Sequence, residues 1–151
     1  MVSTGHEAPP GEVEPLVVLV DSASGLHAIE IHDDGREVVD ARPGARMPPR
    51  DREPELAPQW ARSSLTDVDA HGSTVVLLLE RRPPVLVSYD GGASWLERAA
   101  GVSPGVAIAL GNSPDHVAMA TTSRLYVSLD GGQFWRSLNT ELDGITDIGW
   151  E

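Results

Sequence analysis

The sequence predicts an all-β fold built from units of four antiparallel strands, and three observations carry that prediction. First, Ser88-Tyr89-Asp90-Gly91-Gly92-Ala93-Ser94-Trp95 recurs as Ser128-Leu129-Asp130-Gly131-Gly132-Gln133-Phe134-Trp135, 40 residues on, with five of eight positions identical. Second, the longest apolar stretches, Leu16 to Val20 and Val75 to Leu79, are short and unbroken. Such runs fit strands covered on both faces, and they are far too short to cross a bilayer as helices. Third, no long stretch keeps a helical period without glycine or proline interrupting it.

Each repeated segment reads as a hairpin. Val85-Leu86-Val87 and Leu125-Tyr126-Val127 are β-prone strands entering an Asp-Gly-Gly turn, where glycine supplies positive φ and the aspartate accepts hydrogen bonds from turn amides. Trp95 and Trp135 land on the returning strands as packing anchors. A degenerate third copy, Ile31-His32-Asp33-Asp34-Gly35-Arg36-Glu37-Val38, aligns Asp33 with the box aspartate and keeps the second glycine, but has neither serine nor tryptophan. Its spacing to the next copy, 57 residues, exceeds the period by 17, and a Pro/Arg-rich loop insertion at about 42–60 accounts for the excess.

The strands follow from this frame. The second unit takes Ser64 to Asp69, Thr74 to Glu80, Val85 to Tyr89 and Ser94 to Arg98. The third takes Val106 to Leu110, His116 to Thr121, Arg124 to Leu129 and Phe134 to Leu138. The first supplies only Leu16 to Val20, Leu26 to His32 and Glu37 to Asp40, after a polar, flexible tail at 1–15. Its missing first strand is expected at Ile145 to Trp150, because Leu65-Thr66-Asp67-Val68 matches Ile145-Thr146-Asp147-Ile148 at twice the period.

The segments Ser88, Asp90, Gly92, Trp95 and Ser128, Asp130, Gly132, Trp135 resemble the Asp-box, or BNR, repeat of β-propellers such as sialidases and sortilin-type receptor domains. The resemblance covers about 16–150 and implies a β-propeller of three four-stranded blades. In that family the box is structural and lies away from the active site. A propeller has about four to eight blades, so three need a partner. The expectation is a six-bladed homodimer in which each C-terminal strand is exchanged into the other copy's first blade.

Composition narrows the function. The chain has 151 residues, 23 acids against 11 bases, all arginine, a net charge of −12 and no cysteine. Such an acidic surface argues against nucleic acid and anionic membranes as partners. The absence of a basic flank followed by an apolar run gives no support for export, so a cytoplasmic location is expected. The five histidines form no metal-ligand spacing, and no nucleotide-binding or nucleophile motif is present, so no metal, cofactor or catalytic residue is assigned. The only tyrosines, Tyr89 and Tyr126, lie in box strands and read as packing residues, which argues against sialidase chemistry.

On the propeller topology, Asp67 and Asp147 take equivalent places on innermost strands and are expected to line a central channel. The face opposite the box turns collects Arg46, Arg50, Arg52, Trp60 and Arg62 in or beside the insertion, with Arg81, Arg82 and Arg124 in the loops. Arginine forks suit carboxylate and phosphate groups. The function expected is therefore a noncatalytic module that binds a protein partner or an anionic ligand there. A carbohydrate-binding lectin is the alternative, and a glycoside hydrolase of the sialidase type comes after it.

Overall fold

A computed structural model describes residues 14–49 and 53–151. Arg50, Arg52 and most of the expected tail lie outside the described residues. The described residues form an all-β fold, with twelve strands in three four-stranded antiparallel sheets. The first sheet contains β1 (Leu16–Ser22), β2 (Gly25–Ile31) and β3 (Glu37–Ala41). The second contains β4 (Leu65–His71), β5 (Thr74–Leu79), β6 (Val85–Ser88) and β7 (Leu96–Arg98). The third contains β8 (Ala107–Leu110), β9 (Val117–Ala120), β10 (Arg124–Ser128) and β11 (Arg136–Glu141). Last comes β12 (Asp147–Trp150), which completes the first sheet in the order β12-β1-β2-β3. No helix of the described residues is long and apolar enough to cross a membrane.

The fourth strand of the first sheet comes from the C-terminal end, as expected. β12 pairs with β1, Val18 opposite Trp150 and Asp21 opposite Asp147. The connection after β11 is short and its backbone is held by the rest of the chain. The Ala23 amide donates to Asp143 O, the Ile145 amide to Thr122 O and the Thr146 amide to Asp21 O, each within 3.0 Å.

The third sheet is sandwiched between the other two, and its sequence fits both neighbours. In the register of β8 and β9, Ala107 faces Ala120 and Ala109 faces Ala118, while Ile108 pairs with Met119 and Leu110 with Val117. The alanine face packs on Val18, Val20, Ile29, Ile31 and Ile148 of the first sheet. The large-residue face packs on Val76, Leu78, Val85 and Val87 of the second. The period of two thus divides one strand pair between two cores.

β5 is buried at every position, as its unbroken apolar run predicts. Val76 and Leu78 face the third sheet, and Val75, Leu77 and Leu79 face the other way. What covers that second face was not foreseen. The expected loop insertion carries two 3-10 turns, Pro54–Leu56 and Gln59–Ser64, whose Ala57 and Ala61 are buried against β5 and β6. On the first sheet, Leu19, Leu26 and Ala28 turn away from the third sheet and pack with Met47.

Candidate functional site

The repeated turns are built alike from their own side chains. In the second unit the Ser88 hydroxyl donates to Asp90 Oδ1 at 2.7 Å and accepts from the Gly92 amide at 2.8 Å. Asp90 also accepts from the Ser94 amide at 2.9 Å and the Ser94 hydroxyl at 2.6 Å. In the third unit Ser128 makes the same two bonds to Asp130 and Gly132, and Asp130 accepts from the Gln133 and Phe134 amides. Trp135 Nε1 donates to Gly132 O at 2.7 Å. Gly92 and Gly132 have φ of 98° and 89°, the left-handed region that favours glycine.

These bonds set the chemistry of the two carboxyls. The Ser94 hydroxyl, then the Ser94 amide and the Ser88 hydroxyl, hold the Asp90 carboxyl down at about 2. The Phe134 amide, followed by the Ser128 hydroxyl, lowers Asp130 in the same direction. Carboxylates stabilised as anions by turn donors are poor general bases, so the geometry gives them a structural role.

The degenerate turn of the first unit uses a different aspartate. Asp34 Oδ1 accepts from the Arg36 amide at 3.1 Å, and the His32 and Arg36 backbones close the hairpin. The Arg36 amide and guanidinium hold the Asp34 carboxyl below its ordinary value. Asp34, not Asp33, therefore ties this turn together. A residue the sequence reads only as part of a strand anchors the turn to the third sheet: Glu37 accepts from the Asn139 and Thr140 amides, both at 2.8 Å, and from the Thr140 hydroxyl at 2.7 Å. Burial pushes the Glu37 carboxyl up, but these donors, together with Arg136, leave it below its ordinary value.

The inner-strand aspartates act between sheets. Asp67 is buried; its Oδ1 accepts from the Val68 amide and its Oδ2 from the Ile108 amide of β8, both at 2.9 Å. Asp69, to which the sequence assigns no site role, repeats this two residues on, taking the Ala70 amide at 2.9 Å and the Leu110 amide at 2.7 Å. Together they staple β4 to β8. Asp147 accepts from the Ile148 amide at 2.9 Å on β12. The space beside the inner strands is a cleft of about 310 Å³ lined by Asp69, His71, Leu110, Asn112 and Trp150 under Met47 to Pro49, while Asp67 lies in the β4–β8 contact. Trp150 Nε1 donates to Ala109 O at 3.1 Å, and its ring lies 5.7 Å from that of His116.

The arginines expected on the opposite face are only partly brought together. Arg81 lies over the Trp60 ring at 5.9 Å and beside Glu97 at 3.4 Å. Arg82 donates to the Ser103 hydroxyl at 3.0 Å. Arg62 turns back to donate to Ala57 O and Glu55 O, which locks the two 3-10 turns to each other. Arg124 pairs instead with Glu141 at the edge of the third sheet, 3.2 Å apart, and Arg46 is exposed. Arg42, at the start of the insertion, is bonded to Glu151 at 2.6 Å.

No family model, no curated protein and no solved structure matches this chain.

Proposed function

We propose that the chain is a noncatalytic binding module of the Asp-box β-propeller kind, whose three blades present an arginine and tryptophan platform to an acidic segment of a protein partner. The propeller reading is supported by the two self-bonded turns at one period and by the contact of β8 with both β4 and β12. One observation carries the binding reading: the Trp60 indole is 61 % exposed, and the Arg81 guanidinium lies over it. A large exposed aromatic with an arginine fork above it is a common interface anchor, and its planar donors match a carboxylate. The platform is pre-organised, since Ala61 is buried beside Trp60 and Arg62 is clamped to Ala57 and Glu55.

The test is a titration with a short oligoglutamate peptide, followed by tryptophan fluorescence. Saturable binding that weakens as salt is raised is expected, because the charges involved are exposed and screened. Trp60→Ala and the double change Arg81→Ser, Arg82→Ser should each abolish it. Binding unaltered by both variants overturns the reading.

A further inference from the structure

The chain contains the same inter-sheet junction twice, once filled and once open. Between the second and third units, Tyr89 reaches across: its hydroxyl donates to Gly131 O at 3.4 Å and sits where a side chain on Gly131 would have to go. The tyrosine occupies the variable position after the box serine. Forty residues on, the equivalent position between the third and first units is Leu129. Leucine is too short to cross.

What remains there is a cleft of about 290 Å³, lined by Leu16 and Ile31 of the first sheet and by Val127, Leu129, Phe134 and Trp135 of the third unit. Asp130 and Arg136 stand at its rim. Phe134 is 80 % exposed and Leu129 52 % exposed. None of the described residues covers them, and exposed apolar groups gathered around one hollow mark an interaction site. The size is selective. An apolar cavity of about 150 Å³ takes benzene, whereas sites for drug-sized ligands begin at about 300 Å³, so this cleft suits one aromatic ring with its attachment.

We propose that this cleft is a docking site for a tyrosine side chain of a partner polypeptide, entering as Tyr89 does at the neighbouring junction. The repeat itself supplies the template for the occupant. The apolar walls cover the ring, and an aromatic edge against Phe134 and Trp135 adds to the area buried. Arg136 at the rim, whose Nη2 donates to Gly35 O at 3.2 Å, is placed to meet an acidic neighbour of that tyrosine. This site lies on the side of the repeat turns, so it stands or falls independently of the arginine platform.

The probe is p-cresol, the tyrosine side chain cut at Cβ, titrated into the ¹⁵N-labelled full chain. Saturable shifts are expected at the amides of Leu129 and Phe134 and at the Trp135 indole, with a Kd of about 1 mM. Leu129→Tyr fills the cleft from within and should weaken the response at least about tenfold. Leu129→Phe is a second filling variant in case the first disturbs the fold, and thermal melts verify that both are folded. N-acetyl-tyrosinamide should bind more tightly than N-acetyl-leucinamide. An unsaturable response, an undiminished one in both folded variants, or no preference for tyrosine overturns the proposal. So does concentration-dependent dimerisation that Phe134→Ser abolishes, because the cleft is then covered by a second copy.

Discussion

Ser88 and Asp90 show how much of a turn two side chains can hold. Ser88 is buried, and truncating it to alanine strips the Gly92 amide of its acceptor, for which a loss of about 1–3 kcal/mol is expected in chemical denaturation. Asp90 sets an acid limit. Its folded carboxyl lies at about 2 against an ordinary 3.8, so the turn contributes its full stability above the ordinary value and loses it as pH falls toward 2. The melting temperature is expected to drop between about pH 5 and pH 2, and Asp90→Asn should flatten that drop. Equal slopes in both proteins would remove Asp90 from the account. The serine and aspartate roles were legible because the spacing repeats. The swap to Asp34 was not, because which of two adjacent aspartates bonds depends on the hairpin's exit path through Arg36, which the letters do not record.

At the scale of elements, the staple and the split core decide stability. Asp69 is 4 % exposed and serves amides on β4 and β8, so Asp69→Ala should cost about 3 kcal/mol or more by leaving two buried donors without it. The alanine face of β8 and β9 admits the first sheet closely. Ala118→Leu is therefore expected to destabilise by about 1–3 kcal/mol through overpacking, while Met119→Leu on the opposite face stays under about 1.5 kcal/mol. Thermal and urea melts check both. All twelve strands were readable from β-prone runs set between turn signals. The two 3-10 turns were not, because Pro54–Leu56 and Gln59–Ser64 are too short to display a period and the only small residues buried with them are Ala57 and Ala61.

For the whole molecule, the open question at the sequence level was what closes a three-unit chain. The argument for a second copy was blade number, and one face of the second sheet has its own cover: Val75, Leu77 and Leu79 pack within the chain on Ala57 and Ala61. A mass of two chains in light scattering is the result expected of the six-bladed ring, and a well-folded single chain would remove it. The arginine-rich face was legible as a loop assignment and only half realised as a surface. Arg81 joins Trp60, whereas Arg124 goes to Glu141 and Arg62 folds inward, because arginine reach and local acids decide those pairings.

The pairing of Val18 with Trp150 has a consequence for the order of events on the ribosome. The second and third sheets are each contiguous in sequence and can pair as soon as they emerge, but the first sheet, made earliest, is finished last. Until β12 arrives, the β1 backbone edge stays open with Val18, Leu19 and Val20 on it, a template for wrong pairing. A chain stalled before Asp147 should consequently be the species that a holdase captures, and the pairing of β12 with β1 is the step that releases it.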